Sequence, residues 1–249
     1  MLRIVNKSLP WLSFFSLLIL WQGCAMLVSN AALPPPAQVF WVFIAAVQSG
    51  QLPHHLGITL CRLLVSFIVA MNLGVIIGYS LGRSETANRF FDHWVIIFLN
   101  IPALVTIILC YVWFGLNEMA ALLAVVINKL PNVIIVIREG VRALDQELLA
   151  MAKCYRLRRW VVFKDVIFPQ LHPFIMTATR SGLSLTWKII LVVELLGRSD
   201  GVGFQLHTFF QLFDVASILA YTIAFVAVVQ VLEWGVLRPL DRRSVRWRR

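Results

Sequence analysis

Between Phe174 and Leu196 the chain carries Arg180, Trp187 and Glu194 at seven-residue intervals, with Ser184 and Leu191 between them and Lys188 alongside. Seven residues of α-helix turn through about 700°, so the three side chains stay within roughly 40° of one face, with Lys188 about 80° from Arg180. Their neighbours are largely apolar, and an ionisable group at bilayer depth is costly unless paired or wetted. Such a stripe fits the lining of a solute path, with Ser184, Trp187 and Glu194 along it and Lys188 placed to attract an anion. Glu194 equally fits an ion pair or capping contact that holds a bundle together, and Lys188 a partner for Glu194 or for another span. Arg180, near one end, reads as a snorkelling residue.

A second polar group, Asn128 and Lys129 followed by Pro131 and Asn132, interrupts another apolar run. Pro131 has no N–H, which leaves a carbonyl one turn earlier free for water or solute, so Asn128 and Lys129 join the pathway candidates. Pro102, beside Asn100, reads as a packing kink. Catalysis is not expected, because no carboxylate cluster, histidine pair or activated nucleophile is assembled. His54, His55, His172 and His207 stand apart from cysteines and carboxylates, so no metal site is expected, and the four widely spaced cysteines form no disulfide framework.

The elements that must position these residues are membrane helices. Of 249 residues, 60% are hydrophobic and 14% charged, which excludes an ordinary soluble globule and a disordered chain. Six stretches suit a bilayer core of about 20 apolar residues: Leu9 to Val28, Ile58 to Gly82, Trp94 to Phe114, Glu118 to Ile137, Phe174 to Leu196 and Ser217 to Leu237. The first reads as a retained span, since Trp11 and Trp21 lie in it and Pro34, Pro35 and Pro36 replace a small-residue cleavage site. Ala37 to Gln48 is too short and reads as an interfacial helix. Gly74 and Gly78 favour close helix packing. With the amino terminus in the cytoplasm, 17 of the 22 Lys and Arg fall on that side and only Arg198 falls outside. Both termini are therefore expected in the cytoplasm. The net charge of +10 is then a membrane-surface feature that faces lipid headgroups, and no nucleic-acid partner is expected.

The longest loop between spans, about residues 138–173, reads as two short helices, Asp145 to Tyr155 and Leu157 to Phe168, with Pro169 and Pro173 stopping the second. Apolar on one face and basic on the other, the pair suits either a partner's groove or the headgroup layer.

Ala150, Met151 and Ala152, followed by Arg156 and, thirteen residues later, Pro169, resemble the loop of bacterial ABC importer permeases. That pattern has an acidic residue and two alanines, then a glycine, then a proline. Arg159, Trp160, Phe163 and Val166 also match. The branch is the one for nitrate, taurine, alkanesulfonates, bicarbonate and related small solutes. Leu33-Pro34-Pro35-Pro36, Arg62, Leu81-Gly82, Ile101-Pro102-Ala103-Leu104, Phe114-Gly115, Glu194, Gly201-Val202-Gly203-Phe204 and Arg246-Trp247-Arg248-Arg249 follow in the same order. Two positions depart: Ala150 replaces the acid and Arg156 the glycine. If the backbone at Arg156 has positive φ, its side chain costs on the order of 1 kcal/mol.

The resemblance implies an all-α membrane protein of about six transmembrane helices, one permease domain over residues 1–249, in the bacterial inner membrane. It implies ATP-driven import of a small, anionic solute through a homodimer of this chain. The partners would be two ABC ATPase subunits and a periplasmic or lipid-anchored solute-binding protein, with ATP and Mg on the ATPase and no cofactor on this chain. The sequence has no GxxxxGK[ST] nucleotide cradle. Ala150, Met151, Ala152, Lys153, Arg156, Arg159, Trp160 and Pro169 would form the ATPase-coupling surface. The alternative is a proton- or ion-coupled secondary transporter or channel using Glu194, Lys188 and Lys129.

Overall fold

A computed structural model describes residues 2–28 and 32–237. The basic tail with Arg246-Trp247-Arg248-Arg249 lies outside the described residues. All described secondary structure is helical. The order is α1 (Leu2–Val28), α2 (Pro36–Gln48), α3 (Gln51–Arg83), α4 (Glu85–Asn100), α5 (Ala103–Phe114), α6 (Glu118–Arg142), α7 (Gln146–Cys154), the three-residue α8 (Arg159–Val161), a π-helical stretch (Val162–Ile167), α9 (Phe168–Gly197), α10 (Val202–Gln211) and α11 (Val215–Leu232), which continues as a π turn (Glu233–Leu237). Side-chain caps set several boundaries. Asn117 accepts from the Ala120 N–H at 2.8 Å, Asp145 from Glu147 and Leu148, and Asp214 from Ser217.

Among the described residues α3, α6 and α11 are long and apolar enough to cross a membrane, and α4 with α5 would make a fourth span if the pair counts as one. The six-span expectation is thus met by length and composition for only three or four. α9 has the length, 30 residues, but Arg180, Lys188 and its Ser and Thr residues dilute it. The described apolar part of α1 is the shorter segment Phe15–Leu27.

The expected third span is not a kinked helix. α4 and α5 meet at a 96° bend across Ile101 and Pro102. Proline forces its predecessor out of the α region, and Ile101 takes φ −68, ψ 125, so the helix stops instead of bending.

The core sits where α3, α6 and α9 meet. A β-carbon on Gly74 would collide with Val133, one on Gly78 with the Ile134 carbonyl and Ile137, and one on Gly82 with Val141. The glycine spacing therefore lets α3 lie against α6 of the same chain. α6 also binds α4 through Arg138, which donates to Asp92 at 2.5 Å and Asn88 at 3.1 Å. α6 runs unbroken through buried Pro131.

The second loop helix also differs from expectation. Only Arg159–Val161 is α-helical there, and Pro169 and Pro173 lie inside α9 instead of ending a helix. The π stretch accounts for this. Its wider turns, such as Phe168 N–H to the Phe163 carbonyl, shift the carbonyls that a proline ring would strike, so the chain stays helical across Pro169.

Candidate functional site

At the end of the bundle far from the loop, α3, α6, α9 and the segment before α10 converge on Arg62. It is 4% exposed, and all five of its guanidinium N–H groups have acceptors. Nε and Nη2 donate to the Glu118 carboxylate at 2.6 and 2.9 Å. Nη1 donates to Glu194 and to the Asp200 carbonyl, each at 2.9 Å, and Nη2 also reaches the Asp200 carboxylate. Arg198 adds a second cation 2.8 Å from Glu118.

Glu194 is fully buried, and its remaining acceptor capacity is filled by the Thr59 hydroxyl and the Gly203 N–H, both at 2.9 Å. Thr59 in turn accepts from the Val202 N–H at 2.8 Å. Gly201 has φ 102, and a β-carbon there would overlap the Glu194 carboxylate, so the Gly201-Val202-Gly203 run fits closely over it. The Gly201 N–H donates to His55 Nδ1 at 3.1 Å, and Nε2 of the same ring lies 2.7 Å from the Gln205 side-chain amide nitrogen. Burial raises the Asp200 carboxyl, but the Arg62 hydrogen bond and the charges of Arg62 and Arg198 outweigh it, and the group titrates below its ordinary value. Sequence reasoning noted Arg62, Glu194 and the Gly201-Val202-Gly203-Phe204 run singly and missed Glu118, Asp200 and Thr59 as their partners and α10 as a helix. The one available signal was that an intramembrane Arg and an intramembrane Glu each need a partner.

The seven-residue stripe of α9 does not share one environment. Trp187 and Glu194 pack inward, Trp187 edge-on to Phe225, whereas Arg180 is exposed. The exposed polar face is rotated from that stripe and carries Thr177, Ser181, Ser184 and Lys188, next to Arg180. A cavity of about 550 Å³ opens there, lined by Thr177, Arg180, Ser181, Ser184, Trp187 and Glu233 among others. Lys188 makes no ion pair among the described residues, and Glu194 is already held by Arg62 of its own chain.

Lys129 is 1% exposed, wedged between α6 and α9. Its Nζ lies 3.3 Å from the Ala178 carbonyl and 3.4 Å from Asn132 Oδ1, over Gly182, where a β-carbon would overlap it. Asn128 is half-buried and donates to the Ala124 carbonyl at 2.8 Å. The structure thus brings Ser184 and Trp187 to one cavity and leaves Lys188 on the same exposed face, whereas Glu194 belongs to the Arg62 cluster, Lys129 packs against Gly182, and Asn128 bonds within its own helix.

At the loop end, α7 closes with the Leu157 N–H on the Ala152 carbonyl and the Arg156 N–H on the Lys153 carbonyl, both 3.1 Å. This is the hydrogen-bond pattern of a Schellman turn. Arg156 has φ 49, the left-handed conformation that its glycine-like position implied. Ala152 is buried, whereas Met151, Tyr155 and Trp160 are exposed, with Trp160 stacked on Phe163 at 6.0 Å. Arg156→Gly should relieve about 1 kcal/mol of strain, part of it returned as unfolded-chain entropy. Hydrogen exchange at the Leu157 amide is expected to slow up to about five-fold; unchanged exchange would show that the turn carries no strain.

The chain matches, over residues 70–236, the family described as binding-protein-dependent transport system inner membrane component. It is 29% identical over 234 residues to SsuC of Bacillus subtilis (strain 168), named for aliphatic sulfonates transport, covering 93% of this chain and 84% of that one. It is also 29% identical over 238 residues to the taurine transport system permease protein TauC of Escherichia coli (strain K12), covering 93% and 86%. Among solved structures, an amino acid ABC transporter crystallised with histidines aligns with a TM-score of 0.63 at 21% identity, over 81% of this chain and 98% of that one, a likeness of fold. The bundle of apolar helices, the helical loop and the match over most of the sequence agree, and the chain belongs to the binding-protein-dependent transport system inner membrane components, in the sulfonate, taurine and nitrate branch of ABC permeases.

Proposed function

We propose that this chain is the membrane-spanning subunit of an ATP-driven importer for a small anionic solute. It acts as one transmembrane permease domain in a homodimer, with both termini cytoplasmic. Two separate ATPase subunits carry ATP and Mg, and an external solute-binding protein delivers the cargo. The loop residues Ala150, Met151, Ala152, Lys153, Arg156, Arg159, Trp160 and Pro169 form the surface that the ATPase grips.

One observation carries the pathway assignment: α9 turns Thr177, Ser181, Ser184 and Lys188 outward from the single chain. A bare ammonium is poorly tolerated against lipid tails, whereas α3 exposes Leu64, Ile68 and Ile76 there. This supports a second copy facing α9 across a wetted path. Ser184 and Lys188 would touch the solute, Trp187 would back them, and Glu194, Lys129 and Asn128 would hold the wall in place.

In proteoliposomes containing the permease, ATPase and binding protein, uptake is expected to require ATP and an intact loop from Ala150 to Pro169. Lys188→Ala is expected to lower uptake of an anionic solute at least ten-fold with unchanged folding yield. Equal losses of both would make Lys188 structural. Uptake driven by a proton gradient without nucleotide, or surviving deletion of the loop, would defeat the reading.

A further inference from the structure

Behind the loop, where α7 and the turn after it face the adjoining ends of α3 and α6, lies a cavity of about 1000 Å³. Its apolar wall includes Val141, Leu144, Leu149, Leu157 and Ile167, and its charged lining is Arg83, Lys153, Arg156 and Arg159, with no carboxylate. None of these four cations makes an ion pair among the described residues. At the same end of the bundle Arg89, Arg138 and Arg142 are all paired. Arg83 only donates Nη1 to the Tyr79 hydroxyl at 3.2 Å. Of the loop's carboxylates, Asp145 is used as a helix cap, and Glu147 and Asp165 do not line the cavity.

We propose that this cavity holds the headgroup of an anionic phospholipid, with the glycerol and first acyl carbons on the apolar wall. Four unpaired cations in one concavity focus a positive potential that a phosphodiester neutralises, and basic pockets between membrane helices suit such headgroups. A free phosphate would leave the apolar wall unused. Of the loop residues proposed to meet the ATPase, Ala150, Met151, Trp160 and Pro169 do not line the cavity, whereas Ala152, Lys153, Arg156 and Arg159 do, so the lipid phosphate would lie behind side chains whose outer sides the ATPase meets. The lipid would tie α7 to α3 from behind. It also gives the strained Arg156 a use: a glycine there would spare the backbone but remove one of the four cations. The inference rests on the importer reading only for assigning the cavity to the cytoplasmic leaflet.

The test uses the purified full chain in a neutral detergent, with thermal midpoints measured against added phosphatidylglycerol, phosphatidylcholine or inorganic phosphate. Phosphatidylglycerol is expected to raise the midpoint saturably and phosphatidylcholine to leave it unchanged. The double variant Lys153→Gln/Arg159→Gln should need at least ten-fold more phosphatidylglycerol for half the effect. Arg83→Gln, on a different element, should weaken it too, and Lys164→Gln, outside the cavity, should match the wild type. The proposal is overturned if the cavity variants respond like the wild type, if Lys164→Gln weakens the effect equally, or if inorganic phosphate reproduces it. It is also overturned if phosphatidylglycerol leaves the midpoint unchanged. No nucleotide or uptake is involved, so the result stands or falls separately from the importer reading.

Discussion

Arg62→Met is expected to destabilise the purified chain by about 3–5 kcal/mol, because it strips the fully buried Glu194 carboxyl of its cation. Glu194 is fully buried, and Arg62 is its only ion-pair partner among the described residues. The half-exposed Glu118 and the partly exposed Asp200 can rehydrate once the cation is gone, so their share of the loss is small. Glu194→Gln keeps a carbonyl for the Thr59 hydroxyl and the Gly203 N–H, and the double variant Arg62→Met/Glu194→Gln should recover more than half of the loss. Thermal melts of the four proteins in detergent give the coupling directly. A loss below about 1 kcal/mol in the single variant would mean that the cluster does not anchor this end of the bundle.

Gly182→Ala should cost nearly as much for the smallest possible change. The added methyl falls where Lys129 Nζ now lies, so the ammonium must leave the Ala178 carbonyl while still enclosed by α6 and α9. Overpacking costs about 1–3 kcal/mol and a lost hydrogen bond to a charged group a further 1.5–3 kcal/mol. Lys129→Leu in the same chain should restore the melting midpoint, since its side chain ends at the Cδ level, 3.4 Å from the added methyl, and needs neither acceptor. Lys129→Leu alone should melt within about 1 kcal/mol of wild type or above it. A silent Gly182→Ala would show that the two helices are not in close contact at this point.

Features written in local residue types were readable from the sequence. Apolar run lengths located α3, α6 and α11, the four-residue glycine spacing marked the packed face of α3, and the glycine-like position of Arg156 implied its positive φ. Features that depend on distant partners were not. Arg62 and Glu194 are 132 residues apart, and nothing near either one names the other or the Gly203 N–H that caps the same carboxylate. The seven-residue stripe of α9 was real as a helical face, but periodicity does not say which face a neighbouring helix will cover, and Trp187 and Glu194 turned inward. Prolines misled in both directions. Pro102 ended a helix where a kink was expected, because the extended conformation it imposes on Ile101 was not absorbed by any neighbouring turn. Pro169 did not end one, because a π stretch precedes it.

The thirty residues of α9 form a rod about 45 Å long, and Gly182, where Lys129 presses against it, falls at its midpoint. One tip adjoins the turn that follows the basic loop, and the other carries Glu194 and its clasp on Gly203. A beam balanced on a central fulcrum moves its two tips equally and oppositely. A tilt of about 10° would carry each tip roughly 4 Å, more than the length of the hydrogen bonds that hold the far one shut. A pull on the near tip of that size could not leave the distant clasp closed.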